Sequence, residues 1–131
     1  MPQDYEKAFR LFKLLADQGD SIAQFSLGTM YDYGEGVPQD YKEALKWYRL
    51  SAEHGNANAP FNLGVMYYNG EGVPQDYKEA YAWWSVAKSN GHDVAAMNLG
   101  ALEKEMTKEQ IAEGMSLATE IHNRIEANGK D

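Results

Sequence analysis

Cysteine is absent from the 131 residues, so the chain can have neither a disulfide framework nor a thiolate metal site, and its redox compartment is left open. Long apolar runs are absent as well. No stretch approaches the roughly 18 consecutive apolar residues of a membrane span, and the opening MPQDYEKAF has neither the basic nor the apolar region of a signal peptide. A soluble chain is expected, either cytoplasmic or exported with its signal peptide removed. Basic residues are scarce: 12 Lys and Arg against 20 Asp and Glu give a net charge of -8. Nucleic acid is therefore a disfavoured partner, because its affinity comes largely from cations that neutralise phosphates.

Apolar residues make up 44% of the chain and aromatic residues 12%, with nine Tyr and three Trp, a composition that argues against disorder. A domain of this length buries roughly two-thirds of its unfolded surface, enough for a real core.

The main signal is self-similarity. MPQDY, VPQDY and VPQDY begin at Met1, Val37 and Val73, a spacing of 36 residues. Residues 1–36 laid over 37–72 give 17 identities, and 37–72 over 73–108 give 14, which identifies a tandem repeat.

Each period holds two helical stretches. In the first, from Tyr41 to about His54, an apolar stripe of Tyr41, Ala44, Leu45, Tyr48 and Ala52 follows the helical period. Asp40 is the expected N-cap and Gly55 the left-handed residue at the C-terminus. The second, from about Ala57 to Tyr68, places Ala59, Leu63, Met66 and Tyr67 on one face. Glycine recurs there as Gly28, Gly64 and Gly100, and the expectation at all three is a close helix-to-helix approach that compensates an interior glycine cost of roughly 1 kcal/mol. The segments Gly34–Asp40 and Gly70–Asp76, both GEGVPQD, read as connectors. They lie between helices, not after a strand, so they lack the context of a phosphate-binding loop.

The strings AQFSLGTMYDYGEGVPQDYKEALKWYRLSAEHG and APFNLGVMYYNGEGVPQDYKEAYAWWSVAKSNG resemble successive Sel1-like repeats, relatives of the tetratricopeptide repeat. The resemblance implies an all-α, right-handed solenoid of antiparallel helix pairs with about seven helices. The helix bearing Leu-Gly would be helix A, lining a concave face, and the one bearing Asp-Tyr-Lys-Glu-Ala would be helix B, on the convex side.

On that frame residues 1–19 are a helix B without its helix A, 20–55 and 56–91 are full repeats, and 92–131 form a degenerate repeat with a capping helix. The start within the loop suggests a chain cut from a longer parent. At the far end the Gly-Glu-Gly loop is replaced by Glu103, Lys104, Glu105 and Met106. A last helix opens with the capping-box pattern Thr-Lys-Glu-Gln at Thr107 and has Ile111, Met115, Ala118 and Ile121 as its inner stripe.

Candidate chemistry is thin. Ser85 and Lys88 form the Ser-x-x-Lys pair of penicillin-recognising enzymes, and some Sel1-like proteins are linked to β-lactam chemistry. The chain nevertheless lacks Ser-Asp-Asn and Lys-Thr-Gly partner segments, and copy two has Arg49 and Ala52 at these positions. A non-catalytic protein is expected, with an enzyme or small-molecule binder using Ser85 and Lys88 as the alternative. His54, His92 and His122 are far apart in sequence. His122 with Glu126 would supply two ligands, too few for a metal site, and no metal or cofactor is expected.

The resemblance instead points to a groove for a peptide or partner protein along the helix A residues. Carried over, it falls on Phe25, Ser26, Thr29 and Tyr33, then on Phe61, Asn62, Val65, Tyr68 and Asn69, and finally on Asn98 and Ala101. This set offers Asn and Ser for hydrogen bonding and Tyr for contact area, and it holds no Lys or Arg that would clamp a phosphate or carboxylate. Phe25 and Phe61 also fit a plain core role. Most Tyr and Trp, including Trp47 and Trp83, recur at helix-interior positions and read as core, whereas Tyr33 and Tyr68 fall off the core stripe and are expected to be exposed. Self-association through the N-terminal end is a further possibility.

Overall fold

The computed structural model describes residues 2–129, which form seven helices and, among the described residues, no strand. They are α1 (Pro2–Asp17), α2 (Ser21–Tyr33), α3 (Tyr41–Glu53), α4 (Ala59–Asn69), α5 (Tyr77–Ser89), α6 (Asp93–Glu103) and α7 (Lys108–Gly129).

The helix ends follow from local chemistry. Asp40 and Asp76 each accept hydrogen bonds from two backbone amides of the first turn, those of Lys42 and Glu43 and of Lys78 and Glu79. Thr107 and Gln110 satisfy each other reciprocally, side chain to amide in both directions, as a capping box does. Gly34 and Gly70 close α2 and α4 at φ +68° and +72° in the left-handed region.

The connectors are built twice in the same way. Gln39 and Gln75 donate their side-chain amides to the carbonyls of Asp32 and Tyr68 at 2.7 Å, and the amides of Asp40 and Asp76 donate to Tyr31 and Tyr67 at 2.9 Å. The second glycine of each Gly-Glu-Gly is pressed against the preceding repeat. A Cβ on Gly72 would lie 2.7 Å from the Tyr41 carbonyl oxygen, and one on Gly36 would lie 2.9 Å from that of Tyr5. The Gly-Glu-Gly-Val-Pro-Gln-Asp string is thus a rigid connector whose Gln, Asp and second Gly each have a fixed partner.

Helices α2 and α3, and again α4 and α5, pack as close pairs, and α1, α3 and α5 each also lie against the helix that follows them. Glycine permits the tight pairing. Tyr48 of α3 sits on Gly28, where a Cβ would come within 2.6 Å of its ring, and Trp84 of α5 sits on Gly64 at 2.2 Å. Buried Tyr48, Leu63, Met66, Trp83, Val86 and Leu102 centre a core that continues from α3 to α7, and Leu27 and Trp47 centre a smaller cluster at the α1 end.

The third copy departs from this scheme. Gly100 has nothing within 4 Å of its Cβ direction and is exposed, so the close approach expected there does not occur. The link from α6 to α7 is shorter than that from α4 to α5, and α7 does not pack closely on α6 as α3 does on α2 and α5 on α4. Instead α7 runs along α5 and reaches α3. Glu113 pairs with Lys78, Gly114 meets the ring of Tyr81 and His122 meets Ser89, so the two helices advance in parallel. Met115 is 54% exposed in this arrangement, against its expected place in the inner stripe, while Ala118 and Ile121 are buried as expected. Arg124 ties α7 to α3 through Glu53, with nitrogens 2.7 and 2.9 Å from the carboxylate.

Candidate functional site

A helix B ring lies beneath each junction between successive repeats, and the two junctions differ in what surrounds it. At the first junction the ring is Tyr48, whose hydroxyl lies 3.1 Å from Asp32 Oδ2 and 3.3 Å from Thr29 Oγ1, with the Asn62 side chain beside it. Thr29 itself donates to the Phe25 carbonyl. Burial raises the Asp32 carboxyl above its ordinary range against the opposing effect of the Tyr48 hydrogen bond, and burial likewise raises the Tyr48 phenol. The ring's polar tip is thus held in a hydrogen-bond network at this junction.

At the second junction three members of that network are replaced, and only the asparagine is kept, as Asn98. Val65 stands at the Thr29 position, Tyr68 at that of Asp32 and Trp84 at that of Tyr48. Trp84 donates its indole N–H to the Phe61 carbonyl at 3.1 Å, so no polar group of the ring projects into the junction. What remains is a cavity of about 280 Å³ lined by Val65, Tyr68, Asn69, Trp84, Asn98, Ala101, Leu102 and Glu105, with mostly apolar walls. Tyr68 stacks on Tyr77 with ring centres 5.2 Å apart and leans on Trp84 at 5.7 Å. Its hydroxyl donates to Glu105 Oε2 at 3.1 Å, and Tyr77 donates to Oε1 at 3.4 Å, so the carboxylate is held at the rim by two phenols. That hydrogen bond with Glu105 is the main reason the Tyr68 phenol is raised above its usual range.

The expected groove residues separate into groups. Val65, Tyr68, Asn69, Asn98 and Ala101 line this one cavity. Asn62 and Thr29 belong to the first junction's network, and Ser26 donates to the Ile22 carbonyl. Phe25 packs at 5.6 Å from Tyr48, and Phe61 stacks on His92 at 4.3 Å, so both rings serve the packing of the stack. Tyr33 is 69% exposed, as expected, whereas Tyr68 is half-buried and hydrogen-bonded. Trp84, Leu102 and Glu105 line the cavity without having been anticipated. Register could have found two of them: Trp84 follows Tyr48 in the copy before, and Glu105 stands where earlier copies carry Tyr33 and Asn69.

Ser85 and Lys88 do share a second cleft, of about 480 Å³, with Ser89, Leu99 and Met115 among its walls. The Ser85 hydroxyl, however, donates to the Tyr81 carbonyl of its own helix at 2.8 Å. The residue that meets a base is Ser89, 2.7 Å from His122 Nε2, and its hydroxyl also lies 2.9 Å from the Ser85 carbonyl. His54 is bonded to Gln24 at 2.9 Å, and His92 accepts from the Ala95 amide as the cap of α6. Among the described residues no three His, Cys, Asp or Glu side chains converge as metal ligands would, and no helix is long and apolar enough to cross a membrane.

Helix pairs on a fixed period, joined by identical connectors, define a repeat solenoid of the α/α class. The Sel1 repeat model matches residues 1–20, 21–56 and 57–92, and the chain belongs to the Sel1 repeat family. Among solved structures it is similar to c5321, a protective antigen present in uropathogenic Escherichia coli strains and displaying an SLR fold. Identity there is 31% and the TM-score 0.92, over 99% of this chain and 28% of that one. It is also similar to a Sel1 repeat protein from Oxalobacter formigenes, at 36% identity and TM-score 0.71, over 73% of this chain and 40% of the other. The chain thus spans well under half the length of either relative. No protein of curated function matches it.

Proposed function

We propose that the chain is a non-catalytic interaction module that docks a peptide or protein partner on its helix A face, with α4, α5 and α6 providing the principal contact. The observation that carries this reading is the second junction: an open, largely apolar cavity between repeats, lined by residues of three helices, with a single carboxylate at its rim. Membership of a repeat family whose members commonly serve as interaction scaffolds supports it, and so does the lack of a charged cluster in the cavity, which an active site would need.

The test is site-specific photocrosslinking. A benzophenone amino acid placed at position 101, at the mouth of the cavity, should capture a partner from lysate of the source organism, and one at position 46, on the exposed side of α3, should not. Equal capture from both positions would remove the assignment of the surface.

A second reading rests on one contact, the Ser89–His122 pair beside Ser85 and Lys88. It would make the second cleft a hydrolytic site. Turnover of an activated ester that disappears in Ser89→Ala would favour it, and unchanged background turnover would dismiss it.

A further inference from the structure

The cavity at the second junction has one ionised group at its mouth, and that group has no cation. Glu105 takes part in none of the ion pairs formed among the described residues. Its neighbour Lys104 is exposed and does not line the cavity, whose walls carry no Lys or Arg at all. Two phenols fix the carboxylate in place, one on each oxygen, so its position at the rim does not depend on a partner. Each oxygen keeps acceptor capacity, because an ionised carboxylate offers about four lone-pair sites. The whole chain is acidic, with a net charge of -8, so a basic ligand is also favoured at long range.

Below that rim the walls are mostly apolar, with Asn69 and Asn98 as the polar exceptions. Val65, Leu102 and Ala101 present aliphatic surface, while Tyr68 and Trp84 present ring surface with their polar atoms already bonded, to Glu105 and to the Phe61 carbonyl. An aliphatic or thioether side chain matches these walls without bringing a polar group that has to be paired. A volume of about 280 Å³ sits at the small end of ligand cavities, and suits a side chain of Leu, Ile or Met size better than a whole cofactor.

We infer that the second junction recognises a peptide segment of a partner protein in which an aliphatic side chain enters the cavity while an adjacent Lys or Arg pairs with Glu105. This rests on the reading of the α4–α6 face as the docking surface and adds the chemistry of what docks there. The first junction gives the internal contrast, since Tyr48, Asp32 and Thr29 place a hydrogen-bonded polar cluster where the second has Trp84, Tyr68 and Val65.

The experiment is selection of random dodecapeptides displayed on phage against the immobilised full chain, followed by affinity measurement of the enriched peptides on three proteins. These are the wild type, Glu105→Gln, which removes the charge, and Ala101→Leu, which fills the cavity mouth and keeps the charge. Both sites are exposed, and thermal melts of the variants establish that they fold. The expected result is enrichment of sequences with Lys or Arg within two residues of Leu, Ile or Met. These peptides should bind Glu105→Gln about tenfold more weakly, the order of one desolvated charge pair, and Ala101→Leu more weakly still. Enriched peptides that lose binding to Ala101→Leu but not to Glu105→Gln would overturn the basic-residue requirement and leave the docking surface intact. Peptides indifferent to both variants, or no enrichment, would overturn this inference, and the first of these outcomes would also count against the docking surface.

Discussion

The two junctions of this solenoid start from nearly the same sequence and end in opposite states. At the first, a tyrosine over a glycine is saturated by an aspartate and a threonine; at the second, a tryptophan over a glycine faces valine and a second tyrosine, and the space stays open. The backbone device is common to both, namely Gly28 under Tyr48 and Gly64 under Trp84. Three substitutions on a shared frame therefore replace a hydrogen-bonded polar joint with a largely apolar recess. In a repeat protein the scaffold and the binding chemistry can thus be written on different positions of the same period.

The contrast can be broken most forcefully at its shared foundation. Trp84→Ala should cost about 3–5 kcal/mol, as a large buried ring removed from a core does, and should abolish the second recess together with much of the stack. Gly64→Ala forces a methyl into the Trp84 ring and should cost about 1–3 kcal/mol, whereas the same change at Gly100 meets open space in a helix and should stabilise by up to roughly 1 kcal/mol. Urea titrations of the two variants side by side would check the opposite signs.

A medium effect is expected at the hydrogen-bonded joint. Tyr48→Phe leaves Asp32 without its phenol donor and should lose about 1–2 kcal/mol, while Tyr33→Ala, on an exposed ring of the same repeat, should lie within about 0.5 kcal/mol of the wild type.

Smaller effects belong to the far end. Burial, aided by the Glu103 carboxylate that accepts its hydroxyl at 2.9 Å, pushes the Tyr81 phenol up to about 12. The folded state therefore holds this proton more tightly than the unfolded state does. Its contribution is complete below about pH 10, where an unfolded tyrosine titrates, and is lost as pH rises towards 12. Stability measured across that range should fall with pH, and Tyr81→Phe should shallow the slope. The Arg124–Glu53 pair between α7 and α3 is about half exposed on the arginine side, and Arg124→Ala should cost no more than about 1 kcal/mol, less in high salt.

Much of the fold was legible because the sequence states it more than once. The period of 36 residues, the cap at Asp40 and the glycine breaks between helices are local signals, each appears where it was expected, and Asp76 repeats the cap. What could not be read was how a side chain in one helix depends on the identity of its neighbour two helices away. Tyr68 falls off the core stripe of α4 and so reads as exposed, yet a tyrosine, a tryptophan and a glutamate from α5 and the α6–α7 turn partly cover it. Gly100 repeats the pattern of Gly28 and Gly64 but has no ring over it, since the link after α6 does not repeat the earlier connector and the helix that follows packs on α5. Periodicity predicts a contact only while both members of the pair are repeated.

The central claim, that binding resides at the open junction and not at the hydrogen-bonded one, is tested most directly by the affinity of a partner captured through position 101. It should be measured by titration calorimetry on the wild type, Ala101→Leu and Tyr33→Ala. The account predicts that Ala101→Leu weakens binding by more than about tenfold, which is more than about 1.4 kcal/mol, and that Tyr33→Ala leaves it unchanged. A partner that binds Ala101→Leu as tightly as the wild type and loses affinity for Tyr33→Ala would contradict it.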